Sequence, residues 1–254
     1  MSKHYLVVGG TRGIGRALIA SLCKRGKRVS ILARTKPTVP IPDALYCSTD
    51  ILDPTRTAEK LKYAVDINGP LSYVIFCQRY RGSLDSWSGQ LDTVLTAAKN
   101  IITNLRDSFL SKGDRAILFV GSVASNFVLP EQDVGYHVAK AGEIQMMRYY
   151  AMTLGRLGVR VNCVTLATML KPEAEAFYKE HAALEQSKAN LSPLGRMGRP
   201  ADFVNAVEFL CSARANFITG QNLVVDGGVT MMGHEALAGA LIGRDVLRSK
   251  KDRL

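Results

Sequence analysis

A short stretch with four glycines constrains this chain more than any other part of its sequence. The apolar run Tyr5–Val8 comes first and predicts a buried parallel strand. A helical pattern of apolar residues begins soon afterwards, at Ile14. Between the two lie Gly9, Gly10, Gly13 and Gly15. A strand, a glycine turn and a helix together aim backbone N–H groups and the positive end of the helix dipole at a phosphate. Glycine is needed there because a side chain would block the phosphate.

The spacing of these glycines, G-x-x-x-G-x-G, differs from the commoner dinucleotide-binding pattern G-x-G-x-x-G. It resembles TGxxxGIG, the motif that opens members of the short-chain dehydrogenase/reductase family, with Val8 in place of the threonine. A glycine turn that binds nothing is the alternative that this stretch alone leaves open. The resemblance implies that a dinucleotide cofactor contacts Gly9, Thr11, Arg12, Gly13, Ile14 and Gly15.

Length and composition favour one large globular domain. The chain has 254 residues, of which 47% are hydrophobic and 22% charged. It has no apolar run of membrane-spanning length and no visible signal peptide, so we expect a cytoplasmic protein. The five cysteines lack metal-ligand spacing. We therefore expect reduced core cysteines and no metal site.

The net charge of +11 leaves several classes of partner open. Nucleic-acid binding is one of them. The basic residues are dispersed, however, apart from the region 24–36 and the tail. An anionic cofactor or substrate, or a solvated basic surface, fits this distribution at least as well. We expect no nucleic-acid partner.

Strand-like and helix-like segments alternate along the chain. This alternation predicts an α/β fold with a single doubly wound, Rossmann-type parallel sheet of about seven strands and helices on both faces. The predicted strands are Tyr5–Val8, Arg28–Ala33, Ala44–Cys47, Leu71–Cys77, Arg115–Gly121, Val159–Val164 and Asn222–Val225. The predicted helices after the first are Pro54–Val65, Ser86–Phe109, Asp133–Leu157 and Pro172–Ser187. We expect one domain over residues 1–228, a helical substrate lid at about 168–192, and a carboxyl-terminal extension over 229–254.

The end of the second strand predicts the choice of cofactor. In a dinucleotide-binding fold this end faces the adenosine ribose, where an acidic residue would hold the 2′-hydroxyl of NAD. This chain has Arg34, Thr35 and Lys36 there and no acidic residue. Arg34 and Arg12 suit a 2′-phosphate through charge-assisted hydrogen bonds, which favours NADP. The alternative is that Arg34 and Lys36 are only surface charges.

The resemblance implies that three further residues contact the cofactor. Asp50 and Ile51 look like the family's acidic and aliphatic pair beside the adenine ring, although Asp50 could equally be a turn residue before the next helix. Cys77 ends the fourth strand, where the family usually has NNAG. Here the sequence is Phe76-Cys77-Gln78-Arg79, a departure that alters the wall near the substrate entrance.

Tyr136 and Lys140 carry the predicted chemistry. They stand four residues apart on one predicted helix and therefore share a face. A phenol has a pKa of about 10, and a fixed ammonium beside it would lower that pKa. Tyr136 can then give a proton to a carbonyl oxygen and take it back in reverse. Ser122, at the carboxyl end of the fifth strand, could hold the same oxygen.

These three residues resemble the Ser-Tyr-Lys active site of short-chain dehydrogenases/reductases. Further matches lie at 158–162, 193–200 and 218–228. The resemblance implies an NADPH-dependent oxidoreductase that reduces a ketone of a small organic substrate to an alcohol, with Tyr136 as general acid. It also implies a homotetramer or homodimer.

Other departures leave a rival function open. The family's helix asparagine, which helps carry protons to the lysine through water, falls on Val94, and the Pro-Gly after the sixth strand is Leu166-Ala167. A non-catalytic or weakly active NADP-binding or regulatory protein is therefore the alternative. Because Ser122, Tyr136 and Lys140 are retained, we expect an active enzyme in which water reaches Lys140 directly.

Overall fold

Seven parallel strands from the described part of the chain (residues 2–82, 85–105 and 108–242 of a computed structural model) form one sheet. The strands are β1 (His4–Gly9), β2 (Arg28–Ala33), β3 (Ala44–Ser48), β4 (Tyr73–Cys77), β5 (Arg115–Ser122), β6 (Val159–Leu166) and β7 (Asn222–Val225). Their order is β3-β2-β1-β4-β5-β6-β7. This arrangement confirms the predicted doubly wound fold.

The strand order places a crevice beside β1. β1 pairs with β2 on one side and with β4 on the other, so the direction of winding reverses there. Leu6, Val7 and Val8 are fully buried, as expected for a central strand that is covered on both faces. In such sheets ligands bind outside the carboxyl ends of the strands at the reversal. The loops after β1, β4, β5 and β6 therefore surround the candidate site.

Helices cover both faces of the sheet. They are α1 (Gly13–Lys24), α2 (Pro54–Asn68), α3 (Ser86–Leu91), α4 (Ala97–Asn104), α5 (Val134–Gly155), α6 (Glu175–Glu180), α7 (Ala182–Asn190), α8 (Pro200–Leu210) and α9 (His234–Leu241). α1 and α8 pack on one face through residues such as Leu18 and Phe203. α2, α4 and α5 pack on the other through residues such as Leu61, Ile101 and Met147.

Several predicted boundaries differ from those observed. The predicted helix Ser86–Phe109 is α3 and α4 joined by one π-helical segment, Asp92–Thr96, and α4 ends at Asn104. The predicted helix Pro172–Ser187 is a short 3₁₀ turn followed by α6 and α7, which are separated at His181. The predicted fourth strand begins at Tyr73, and Leu71 instead makes an isolated bridge to Phe109.

Helix α8 was not predicted from the sequence. Prolines and glycines are frequent from 193 to 200, and Pro200 occupies the first turn of the helix, where its missing N–H costs nothing. The Asp202 carboxylate accepts the N–H of Arg199 at 2.8 Å and so closes the start of the helix. Val204 and Val207 then bury its apolar face.

The end of the described chain forms α9, which contacts α7. Ala240 is buried there, whereas Leu241 is exposed. The rest of the carboxyl-terminal extension, residues 243–254, lies outside the described residues. Within the described ranges, every helix is too short or too polar to cross a membrane.

Candidate functional site

The turn between β1 and α1 has the backbone geometry that its glycines predict. Gly9, Gly10 and Gly13 have φ angles of 82°, 84° and 56°, which L-residues with side chains rarely adopt. Gly15 has a different reason to be glycine, because a Cβ there would lie 2.5 Å from the Cα of Gly10. The turn is therefore an open cradle at the amino end of α1, with Thr11 half-buried and Arg12 exposed on its rim.

A carboxylate rests on this cradle. The N–H of Gly13 donates to Oε1 of Glu173 at 2.6 Å, although the two residues are 160 positions apart. Burial alone would raise the pKa of Glu173, but the Gly13 N–H and the positive charges of Lys171 and Arg81 hold this pKa below its ordinary value. The carboxylate oxygens stand in for the oxygens of a phosphate. Sequence patterns could not locate Glu173, because the contact joins two distant loops.

Ser122 and Tyr136 lie on neighbouring elements at the same edge of the sheet. Ser122 is the last residue of β5, it is 8% exposed, and its Oγ accepts the N–H of Ala124 at 3.2 Å. The turn that follows β5 contacts α5. Tyr136 lies in the first turn of α5 and is 9% exposed. The Asp133 carboxylate accepts the Tyr136 N–H at 2.9 Å and so fixes where this helix begins.

Lys140 is one turn further along α5 and is held between two acceptors. Its Nζ donates to the Val120 carbonyl at 2.7 Å and to Glu143 Oε2 at 2.9 Å. Lys140 is 5% exposed and Glu143 is 1% exposed. Burial lowers the pKa of Lys140, but the charge and hydrogen bond of Glu143, together with the nearby Tyr136, outweigh burial, so the pKa is raised and Lys140 remains an ammonium. Burial also raises the pKa of Glu143, against the attraction of Lys140.

Glu143 is a site residue that the sequence prediction missed. The available signal was a charged residue three positions after Lys140, at the buried side of an otherwise apolar stretch of α5. The contact between Lys140 and Glu143 also bears on how water reaches the lysine. The expectation that water reaches Lys140 directly does not fit the described residues, where the lysine is buried on Val120 and Glu143. Val94 is fully buried within the π-helical segment.

Cys77 and Gln78 lie beside the glycine cradle, and Cys77 is also near Lys140. The Cβ of Cys77 would lie 3.4 Å from a Cβ on Gly15. Burial raises the pKa of the Cys77 thiol to about 12, and the positive charge of Lys140 opposes this rise. Gln78 is 7% exposed, and neither polar atom of its side-chain amide has a hydrogen-bond partner among the described residues. Buried amides normally find partners, so a group that binds here would supply them.

Arg79 faces the ring of Tyr136. Its guanidinium carbon lies 5.0 Å from the ring centroid, within the range of a cation–π contact. Arg79 is exposed, and its Nη2 donates to Gln132 at 2.9 Å. The departure from the family's NNAG therefore places a cation beside the candidate general acid.

The adenosine end of the candidate site is open. Arg34 and Thr35 are exposed at the end of β2, whereas Lys36 lies 5.6 Å from the ring of Tyr46. Asp50 Oδ1 accepts the N–H of Leu52 at 3.1 Å. This bond agrees with the alternative that Asp50 is a turn residue before the next helix. Ile51 is half-buried against the core. Arg34 is thus available to a ligand, and Asp50 has a role in the turn.

The described residues fit a dinucleotide cofactor. The glycine cradle is open to a phosphate and already attracts an anion at Gly13. The unpartnered Gln78 amide lies next to it, since a Cβ on Gly9 would meet the Gln78 backbone nitrogen at 2.9 Å. Among the described residues, no group of three or more histidine, cysteine, aspartate and glutamate side chains could hold a metal ion.

The known proteins that this chain is similar to include several reductases. Residues 8–230 match the family model described as enoyl-(acyl carrier protein) reductase. The chain is 27% identical over 248 residues to the 3-oxoacyl-[acyl-carrier-protein] reductase FabG of Staphylococcus aureus, covering 91% of this chain and 99% of that protein. It is 28% identical over 251 residues to a tropinone reductase homolog of Arabidopsis thaliana, covering 91% and 92%.

Solved structures have the same fold. A short-chain type dehydrogenase/reductase from Mycobacterium ulcerans superimposes with a TM-score of 0.78 at 27% identity, covering 98% of this chain and 100% of that chain. The ligand-free aldohexose dehydrogenase of Thermoplasma acidophilum has a TM-score of 0.82 at 22% identity, covering 92% and 96%.

Proposed function

Because this chain belongs to the short-chain dehydrogenase/reductase family, we propose that it is an NADPH-dependent oxidoreductase that reduces a ketone of a small organic substrate to an alcohol. The observation that supports the proposal is the bond from the Lys140 ammonium to the Val120 carbonyl, which ties the helix that carries Tyr136 to the strand that ends at Ser122. The bound cofactor would supply the hydride. The residues of this chain would bind the substrate and move the proton.

Tyr136 is the proposed general acid. Its hydroxyl would donate a proton to the ketone oxygen, and the Ser122 hydroxyl would hold the same oxygen. The Lys140 ammonium favours the phenolate that Tyr136 becomes, because an opposite charge nearby stabilises it. Glu143 is a positioning residue, which holds the ammonium against the Val120 carbonyl and limits its positive field.

Cofactor binding is proposed to use residues from three loops, which follow β1, β2 and β4. The glycine cradle would hold the diphosphate, and Gln78 would use its unpartnered amide. Arg34, with Arg12 and Thr35, would hold a 2′-phosphate, since no acidic residue stands at the end of β2 to bind a 2′-hydroxyl. These positions favour NADPH over NADH.

We also propose a homo-oligomer. Val134, Val138, Tyr149 and Met152 are exposed on α5, and at 100° per residue they fall on one side of the helix. Gln145 and Arg148 lie between them on the same side, so this side has apolar residues at each end and polar residues in the middle, a mixture that suits contact with another copy. Light scattering at micromolar concentration would detect a dimer or tetramer, and a monomer would contradict the proposal. The cytoplasm is the proposed location.

A non-catalytic NADP-binding protein remains the second candidate, and one observation favours it. The charge of Lys140 is compensated by Glu143, which reduces the field that should activate Tyr136. The two candidates agree about cofactor binding and differ about turnover.

The variant Tyr136→Phe separates the two candidates. We expect it to bind NADPH as the wild type does and to lose turnover by about 100-fold, the usual contribution of a general acid. Fluorescence titration measures binding, and a panel of ketones measures turnover. Tyr149→Phe, an exposed tyrosine on the same helix, is the matched control. Binding without wild-type turnover across the panel would favour the non-catalytic candidate.

A further inference from the structure

Three cations from two loops surround the mouth of the site. Arg79 and Arg81 follow β4, and Lys171 follows β6. Lys171 packs over the cradle, where a Cβ on Gly13 would lie 3.4 Å from its Cδ. Burial lowers the pKa of Lys171, and the positive charges of Arg79 and Arg81 lower it further. The three side chains therefore act on one region.

One carboxylate accompanies these three cations. Glu173 lies on the Gly13 N–H and interacts with Lys171 and Arg81. Those two cations are thus beside the cradle, where a cofactor diphosphate would take over the position of the Glu173 carboxylate. Arg79 is different, because it lies over the Tyr136 ring instead of the cradle. Its partner Gln132 is neutral, and no carboxylate in the described part of the chain forms an ion pair with Arg79.

We propose that the substrate carries a carboxylate close to its ketone, as a 2-oxo acid does, and that Arg79 binds this carboxylate while Tyr136 holds the ketone oxygen. The inference rests on the proposed function and names the substrate class of the same site. A guanidinium binds a planar carboxylate through two parallel hydrogen bonds. With its carbon 5.0 Å from the Tyr136 ring centroid, it reaches only groups near the reacting carbonyl.

Arg79 thereby selects between substrates by charge. An ester or amide of the same shape would leave the guanidinium beside an uncharged group and forgo the charge-assisted contact. Lys171, half-buried at the other side of the mouth, adds positive potential to the same region. The net charge of +11 agrees with an anionic substrate, but the placement of Arg79 carries the inference.

The test compares two isosteric probes on the protein loaded with NADPH. Oxamate has a carboxylate beside its carbonyl, and oxamide has a neutral amide in its place. Calorimetric titration of the wild type should show oxamate binding at least about tenfold more tightly than oxamide. Arg79→Gln should remove most of that difference and leave NADPH affinity within about twofold. Arg214→Gln is the control, because Arg214 is also exposed and also lies over a ring, that of Phe209.

Each other outcome has a defined meaning. Equal affinity for oxamate and oxamide, or unchanged oxamate binding in Arg79→Gln, would overturn the inference. A large loss of NADPH affinity in Arg79→Gln would also overturn it, by assigning Arg79 to the cofactor. Turnover of pyruvate and methyl pyruvate is measured in parallel. An oxamate preference that depends on Arg79 without any turnover would remove the reductase proposal and keep the carboxylate site.

Discussion

The ammonium of Lys140 and the carboxylate of Glu143 form a buried ion pair, with 2.9 Å between Nζ and Oε2. Both side chains lie on the buried side of α5, within two helical turns of Tyr136. A buried charge without its partner is costly, so each residue makes the other tolerable in this position. The pair also sets how much positive field reaches the phenol.

The first prediction concerns this field. Glu143→Gln keeps a hydrogen-bond acceptor near Lys140 but removes the negative charge that opposes the effect of burial, so the pKa of Lys140 should fall. Oxidation of the alcohol requires the phenolate that the Lys140 ammonium favours, so the rate of oxidation should fall by about tenfold at high pH, where Lys140 loses its proton. The measurement is kcat/KM for alcohol oxidation against pH. Glu59→Gln, an exposed change on α2, should leave the profile where it is.

The second prediction concerns cofactor choice. Arg34→Asp places a negative charge where the 2′-phosphate is proposed to bind. A charged contact contributes about 1.5–3 kcal/mol, so NADPH affinity should fall by at least about tenfold. Lys36→Asp is an informative companion, because Lys36 lies over Tyr46 and should have a smaller effect. Unchanged NADPH affinity in Arg34→Asp, together with tighter NADH binding by the wild type, would contradict the assignment.

The third prediction concerns the carboxylate on the cradle. Glu173→Gln weakens the competitor for the Gly13 N–H, so NADPH should bind more tightly, by about two- to fivefold for an exposed charged contact. Glu180→Gln, at the end of α6, is an exposed control of the same chemistry. Fluorescence titration measures both variants. Weaker NADPH binding in Glu173→Gln would mean that this carboxylate assists the cofactor.

The fourth prediction concerns stability and pH. His4 is fully buried, with Ser30 Oγ and the Gly69 carbonyl on its two ring nitrogens. Burial lowers the pKa of His4 to about 4 from 6.5. Because the unfolded chain then binds the proton more readily, the free energy of unfolding should decrease as pH falls from 6.5 to about 4, by about 3 kcal/mol.

Urea unfolding across this pH range tests the prediction. His4→Gln should flatten the dependence, since the variant has no titrating group at position 4. His234→Gln, which changes an exposed histidine, should keep it. An unaltered slope in His4→Gln would assign the dependence to other groups.

Local patterns predicted the glycine cradle and the Tyr136–Lys140 pair because each depends on neighbouring residues. Backbone φ values at Gly9 and Gly13 follow from a turn a few residues long, and a spacing of four fixes a helix face. The contact between Gly13 and Glu173 has no such local signature, since only the folded sheet brings the loops after β1 and β6 together. Arg79 over Tyr136 was hidden for the same reason.

The position of Glu173 on the glycine cradle has a consequence for the order in which cofactor and substrate bind. Under the proposed function, an incoming cofactor would displace a carboxylate that belongs to the segment after β6, so binding of the nucleotide would be coupled to movement of that segment. The substrate would then find its final surroundings only on the binary complex. We therefore expect compulsory-order addition with the nucleotide leading, in which a dead-end analogue of the ketone inhibits uncompetitively against NADPH.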